Sequence, residues 1–193
     1  MSSCDMAEIK PAGPPPTRSK LHEAALAHLA RYGTTQAGLI RVLDRRVERW
    51  ARRAENAEPD IIAGCKRAVR EVAQALVASG VIDDAAFAES RARSLTRAGR
   101  SQRAVAAHLG ARGVAQDTVR EALPHDPDME LAACLAFTRR RRIGAFRRPE
   151  AESQDLREMG MLARAGFGHD VASRALGMDF EEAEAMVIQL KQS

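Results

Sequence analysis

Apolar residues recur at intervals of three and four along most of the chain, which is the spacing of one face of an α-helix. Leu21, Ala25 and Leu29 share one such face, and Leu39 and Val47 share the next, with arginines between them. Further helices are expected over residues 61–79, 83–97, 101–111, 117–123, 126 to about 140 and 153–165, followed by two short ones. The pattern predicts about ten amphipathic helices, grouped as three-helix repeats.

Glycine, rather than proline, separates these segments. A leucine repeatedly precedes a glycine by four positions, and a leucine often follows the same glycine by ten. Glycine readily adopts the left-handed conformation that closes the C-terminus of a helix. We therefore expect a helix to end, and the next to begin almost at once, at Gly33, Gly80, Gly99, Gly113 and Gly166.

Residues that start helices follow these glycines. Serine, threonine and aspartate side chains accept hydrogen bonds from the first free N–H groups of a helix. Asp179 and Glu182 have the spacing of a capping box for the last helix. The other expected caps are Thr34 or Thr35, Asp83, Ser101 and Asp117.

The chain divides into four predicted segments. Residues 1–19 contain the run Pro14-Pro15-Pro16 and are expected to form a disordered tail. We predict a first helical repeat over 20–58 and a central repeat over 59–125. A third repeat with an acidic C-terminal helix is predicted over 126–193.

Composition supports the helical prediction. Alanine, the best helix former, accounts for 37 of 193 residues, while aromatic residues make up only 4%. The expected fold class is all-α, with tandem three-helix repeats in an elongated, curved array. Three widely separated cysteines without a C-x-x-C pair, and no apolar run long enough for a membrane span, predict a cytoplasmic protein without membrane contact.

Arginine carries most of the positive charge. The chain has 26 arginines, 4 lysines and a formal net charge of +4. The planar guanidinium fork matches phosphate and carboxylate groups, so the composition suits binding to nucleic acid or to an acidic protein surface. GC-rich coding would also produce many arginines.

The arginines fall into three clusters, of which only the first contains acidic residues, Asp44 and Glu48. We interpret the clusters as surfaces for phosphates or an acidic partner, the alternative being an ordinary solvated face. The candidate residues are Arg41, Arg45, Arg46, Arg49, Arg52 and Arg53; Arg91, Arg93, Arg97, Arg100, Arg103 and Arg112; and Arg139, Arg140, Arg141, Arg142, Arg147 and Arg148.

Few aromatic residues accompany the arginines, which favours sequence-independent contact over base recognition. Trp50, beside Arg49 and Arg52, is the exception. It is interpreted either as a residue that stacks on bases or as an aromatic packed on a neighbouring repeat.

No catalytic or cofactor-binding motif is present in the sequence. The five histidines lack metal-ligand spacing, and phosphate-loop, dinucleotide-binding and nucleophile-elbow motifs are missing. Asp83 and Asp84 resemble a metal or acid–base pair, but their position between Gly80 and Phe87 favours helix capping. We therefore expect neither an enzyme, nor a bound metal, nor a cofactor.

The central block resembles the RecX regulatory proteins, which bind and modulate the bacterial recombinase RecA. Residues 80–84, followed by Phe87-Ala88-Glu89, are similar to the family signature G-[YF]-[LI]-D-D-x-x-[FY]-A. The order of Gly99, Arg103, Leu109 and Gly113 continues the likeness, and weaker similarity extends over residues 20–177. Ile82 replaces the usual leucine, and His108 stands where glutamate is general.

The resemblance implies an all-helical array of three-helix repeats that inserts into the groove of the RecA filament on DNA and has no catalysis of its own. The expected partners are a RecA filament and DNA bound without sequence preference, and we expect a monomer that inhibits RecA. One alternative is a helix-turn-helix transcription regulator that uses residues 35–43 or 101–109 for recognition. Another is a scaffold without any role at nucleic acids.

Overall fold

The computed structural model describes residues 13–54, 57–124, 126–148, 150 and 155–192. These residues form ten α-helices and one 3-10 turn, with no strand among them, so the all-α prediction is confirmed. The helices are α1 (Arg18–Leu29), α2 (Gln36–Arg53), α3 (Pro59–Ala78), α4 (Asp84–Arg97), α5 (Gln102–Arg112), α6 (Gln116–Ala122), α7 (Pro127–Arg141), α8 (Asp155–Arg164), α9 (His169–Gly177) and α10 (Phe180–Gln192).

The chain forms two compact units, of which unit 1 ends at Asp83 and unit 2 begins at Asp84. In unit 1, α3 packs against both α1 and α2. Their shared core contains Leu21, Leu43, Val47, Val69 and Leu76, all nearly inaccessible to solvent. The structure thus places α3 with α1 and α2, whereas the sequence analysis grouped it with the helices that follow.

The N-terminal segment of unit 1 is ordered from Gly13 among the described residues. Helix α1 begins at Arg18 because the Thr17 side chain accepts a hydrogen bond from the Lys20 N–H at 3.4 Å. Arg18 and Ser19, which the sequence analysis assigned to the 1–19 tail, are thus the first residues of α1, while residues 1–12 lie outside the described part of the chain.

Unit 2 contains two further groups of helices. Helices α4, α5 and α6 enclose a core that includes Leu95, Val105 and Leu109, against which Phe87 packs. Helices α7, α8 and α9, together with α10 and the 3-10 turn Gly144–Phe146, enclose a second core around Leu135 and Leu162. Together with α1–α3, these groups give the tandem three-helix arrangement that the sequence predicts.

Four of the five predicted glycine turns have left-handed backbone conformations, with φ between 72° and 93°: Gly80, Gly99, Gly113 and Gly166. Gly33 does not have a positive φ, because α1 already ends at Leu29 and its C-cap residue, Ala30, is right-handed, so that prediction is wrong. At Gly99, an added Cβ atom would meet the backbone of another helix. A Cβ atom there would lie 2.8 Å from the Phe137 backbone nitrogen, so glycine permits close approach to α7.

Most of the predicted helix starts are also found. Thr35 accepts a hydrogen bond from the Gly38 N–H at 3.0 Å, and Asp179 accepts from the N–H groups of Glu181 and Glu182. Helix α4 begins at Asp84, directly after Asp83. Asp117 is not a cap, because α6 begins at Gln116 and places this side chain inside the first turn.

Ser101 both starts α5 and connects it to another helix of unit 2. Its hydroxyl accepts from the Ala104 N–H at 3.2 Å and donates to the Ala165 carbonyl oxygen at 2.7 Å. Gly166 accommodates this contact, because a Cβ atom there would lie 2.7 Å from the Ser101 hydroxyl oxygen. The end of α8 is thereby held against the beginning of α5.

Candidate nucleic-acid interface

Arginines of α2 line a cavity of about 590 Å³ in unit 1, which we call the Trp50 pocket. Helical geometry places Arg46, Arg49, Trp50 and Arg53 on one side of α2, because they are spaced three and four residues apart. Leu39, Leu43 and Val47, on the adjoining face of α2, are buried in the core of the unit. The lining residues are Gly13, Pro14, Pro16, Lys20, Arg46, Arg49, Trp50, Arg52 and Arg53.

The described residues that line the Trp50 pocket include five cations and no carboxylate. Glu48, on the same helix, is directed to α3, where its carboxylate lies 3.5 Å from the Lys66 ammonium. Arg41 and Arg45 are exposed on α2 but do not line the cavity. Of the first arginine cluster, only Arg46, Arg49, Arg52 and Arg53 therefore line the Trp50 pocket.

A second cavity, of about 520 Å³, lies in unit 2, and we call it the α7 pocket. Four exposed arginines reach it from three different elements: Arg100 from the turn before α5, Arg140 and Arg141 from α7, and Arg164 from α8. The other lining residues are Gly99, Ala104, Phe137, Met161 and Ala165. None of these described lining residues is acidic, so their combined field favours an anion.

Two of the four guanidinium groups of the α7 pocket, those of Arg140 and Arg141, have contacts within α7 or with the turn after α4. The Cζ atoms of Arg140 and Arg141 each lie 5.5 Å from the centre of the Phe137 ring, a cation–π distance. Arg140 also donates to the Ala98 carbonyl oxygen. The contact with Ala98 joins α7 to the turn in which Gly99 approaches α7 closely, so this part of the pocket depends on how the two helix groups of unit 2 pack.

Several arginines of the predicted set have partners within the protein. Arg147 makes the strongest such contact, a two-point ion pair with Glu158 at 2.7 and 3.2 Å, and the Glu158 side chain is only 6% exposed. The same carboxylate accepts from the Gly144 N–H at 3.1 Å. Arg147 therefore stabilises the turn after α7 instead of presenting a cation to a partner.

Weaker contacts involve three others. Arg139 lies 3.3 Å from the Glu184 carboxylate on α10, and Arg93 lies 3.8 Å from that of Glu89, both at exposed positions. Arg91 is half-buried and donates from Nε to Nε2 of His108 at 3.3 Å. Burial lowers the pKa of His108, and the nearby cations Arg91, Arg112 and Arg100 lower it further.

The remaining predicted residues are exposed but do not line either pocket. Arg97 and Arg112 end α4 and α5, Arg103 lies in the first turn of α5, and Arg142 and Arg148 follow α7. Sequence reasoning missed Lys20 and Arg164, which line the two pockets. Both are isolated from the arginine clusters in sequence, so no local signal marks them.

The described residues were also compared with the requirements of a metal site, a membrane span and a nucleophilic thiol. No group of three or more histidine, cysteine, aspartate or glutamate side chains there is arranged to hold a metal ion. No described helix is long and apolar enough to cross a membrane. Cys134 is buried, and desolvation followed by the charge of Glu130 raises the pKa of its thiol to about 12, which disfavours the nucleophilic thiolate.

Comparison with known proteins relates the chain to one family. A family model described as "RecX, second three-helix domain" matches residues 83–123. The Regulatory protein RecX of Myxococcus xanthus is 34% identical over 161 residues, covering 81% of this chain and 83% of that protein. The Regulatory protein RecX of Agrobacterium fabrum is 38% identical over 104 residues, covering 53% of this chain and 55% of that protein.

A solved structure supports the same relationship at the level of the fold. The crystal structure of RecX from Lactobacillus salivarius matches with a TM-score of 0.59 and 17% identity, covering 87% of this chain and 97% of that one. The similarity to the Myxococcus protein extends over most of both chains. The chain belongs to the RecX family of regulatory proteins.

Proposed function

We propose that this protein regulates DNA repair and recombination in the cytoplasm by binding RecA filaments on DNA and inhibiting their activities. It acts by binding, as a monomer and without catalysis, and it contacts the sugar–phosphate backbone rather than base edges. The observation that carries this proposal is the α7 pocket, in which four arginines converge without a carboxylate among the described lining residues. Relatives named as regulatory proteins support the regulatory role.

Phosphate contact is the property of the α7 pocket that the chemistry supports best. Guanidinium groups carry a positive charge and bind phosphate oxygens in two-point fashion. Phe137 and the Ala98 carbonyl oxygen hold Arg140 in position, so less side-chain entropy is lost when an anion binds. Contacts in several repeats of one chain would add to one another through effective concentration.

A helix-turn-helix regulator fits the surroundings of α5 less well. In such regulators the N-terminal residues of the recognition helix enter the major groove. Here the Ser101 hydroxyl is bonded to the Ala165 carbonyl oxygen, and the Gln102 N–H donates to the Glu130 carboxylate at 2.9 Å. The beginning of α5 is therefore engaged inside unit 2 rather than available to bases.

The proposal is tested by measuring the DNA-dependent ATPase of RecA on single-stranded DNA with and without this protein. We expect inhibition that increases with the concentration of the chain and declines as salt rises, because contacts to several phosphates release counterions. Unchanged ATPase, with no binding of the chain to RecA-coated DNA in sedimentation, would refute the proposal. Protection of one duplex sequence at high salt would favour the transcription regulator instead.

A further inference from the structure

The Trp50 pocket differs from an ordinary basic patch because an aromatic side chain lies within it. Trp50 is the only tryptophan of the chain, and the aromatic content is just 4%. The indole N–H donates to the Gly13 carbonyl oxygen at 2.8 Å, which fixes the edge of the ring against the segment that precedes α1. An aromatic ring held at its edge and placed beside cations offers a stacking surface as well as a charged one.

The part of α2 that carries Trp50 is fixed by the core of unit 1. Val47, one turn away from Trp50, is buried in the core of unit 1, so the ring projects from the fixed part of α2. The segment before α1 forms the other wall. The Pro16 carbonyl oxygen lies 3.7 Å from the Cys65 sulfur, which connects this segment to α3.

The Trp50 ring has fewer contacts with cations and with other rings than Phe137, the aromatic residue of the α7 pocket. Phe137 is approached by two guanidinium groups at 5.5 Å and by the edge of Phe167, with ring centres 5.9 Å apart. Trp50 has no comparable ring contact among the described residues. Because Trp50 lines the cavity, a planar ligand group in the pocket can contact the indole without displacing a cation from it.

We infer that the Trp50 pocket binds nucleotides of a single strand, with a base stacked on the Trp50 indole and adjacent phosphates bound by Lys20, Arg46 and Arg49. A volume of about 590 Å³ is in the range of pockets that hold ligands of this size. Bases of a duplex are stacked on one another, whereas those of a single strand are free to stack on an aromatic ring. The inference deepens the proposed function, since it rests on contact with nucleic acid and assigns unit 1 to the single strand.

Intrinsic fluorescence provides a direct test, because Trp50 is the sole tryptophan. We expect an oligothymidylate of about 16 nucleotides to quench the emission to saturation. An abasic oligomer of the same length carries the same phosphates but should bind about tenfold more weakly and quench little. Equal quenching by both oligomers would overturn the inference, as would tighter binding and stronger quenching by a polyglutamate peptide.

Substitutions extend the test to affinity, measured by anisotropy of labelled oligomers. W50A should weaken oligothymidylate binding about tenfold and leave abasic binding unchanged, while W50F, which keeps an aromatic ring, should retain most of the affinity. A variant that merely misfolds would lose both ligands equally. R67A removes an exposed arginine of α3 outside the pocket and should leave both affinities near those of the unmodified protein.

Failure of this inference and failure of the proposed function give different results. If W50A binds oligothymidylate like the unmodified chain, but the charge reversals R141E and R164E abolish binding, the proposed function stands and the Trp50 site is refuted. If the unmodified chain binds no nucleic acid at low salt, both are refuted.

Discussion

The Trp50 pocket in unit 1 takes four of its five cations from one helix, whereas the four arginines of the α7 pocket come from the α4–α5 turn, α7 and α8. The first arrangement follows from the three- and four-residue spacing of a single helix. The second exists only when two groups of helices pack correctly. A cluster of arginines in the sequence therefore predicts most of the cations of the Trp50 pocket, but only some of those of the α7 pocket.

The two pockets also differ in what their aromatic residue does. Phe137 is in contact with Arg140 and Arg141 and positions them, so the α7 pocket presents charge. The Trp50 N–H donates to the Gly13 carbonyl oxygen, and the Trp50 pocket contains both the indole ring and five cations. On this difference rests our proposal that the α7 pocket binds phosphates and that a base of a single strand stacks on Trp50.

The largest expected effect is on stability, and it tests whether Arg147 stabilises the fold rather than binding a partner. E158A leaves Arg147, whose side chain is 22% exposed, without its partner and removes the acceptor of the Gly144 N–H. We expect unfolding in urea to show a loss of about 2 to 3 kcal/mol, because charge-assisted hydrogen bonds are lost and the Gly144 N–H is left without its acceptor. E89A removes the exposed partner of Arg93 and should change stability by less than about 0.5 kcal/mol. Similar losses in both variants would contradict a structural role for Arg147.

The next effect tests whether the α7 pocket depends on the packing of α4 against α7. G99A adds a Cβ atom 2.8 Å from the Phe137 backbone nitrogen at a left-handed position, and we expect a loss of about 2 to 3 kcal/mol. Gly80 has nearly the same φ with no atom within 4 Å of the added Cβ, so G80A should lose only about 1 kcal/mol. Equal losses, measured by thermal and urea unfolding, would exclude the close approach as the cause.

Salt dependence distinguishes the chemistry of the two pockets. Each of R141A and R164A should weaken DNA binding and reduce the slope of log K against log salt by about one, because one phosphate contact is lost. W50A should weaken single-strand binding without changing that slope, since stacking releases no counterion. Titrations over a range of salt concentrations measure both quantities. A reduced salt slope for W50A, or an unchanged salt slope for the arginine variants, would contradict the proposed roles of the two pockets.

The smallest effect concerns pH and the surroundings of His108. Burial and the nearby arginines lower the pKa of this imidazole in the folded state, so the unfolded chain binds the proton more readily. Stability is therefore full above the unfolded-state pKa near 6.5 and declines as the pH falls below it. H108Q should reduce the decline between about pH 7 and pH 5, measured as free energy of unfolding. An equally steep decline in H108Q would assign the pH dependence to other groups.

Helices and cores were predictable because they depend on local spacing. Leu21, Leu43 and Leu109 are buried as their periodicity predicts, and Gly113 ends α5 in the left-handed conformation. The prediction for Gly33 is wrong because a leucine–glycine spacing indicates only that a helix can end there, and the last residue of α1 is Leu29. The partner of Arg147 and the convergence of Arg164 with Arg100 depend on tertiary packing, which residue spacing does not encode.

The central claim is that the convergent arginines of the α7 pocket, rather than total positive charge, inhibit the RecA filament. The most direct measurement compares inhibition of the RecA ATPase on single-stranded DNA by two double variants of equal charge. R141E/R164E alters the α7 pocket, and R67E/R70E alters exposed arginines of α3 that line neither pocket. We predict that R141E/R164E loses most of the inhibition while R67E/R70E retains it. Equal loss in both variants, or retained inhibition by a folded R141E/R164E, would contradict the claim.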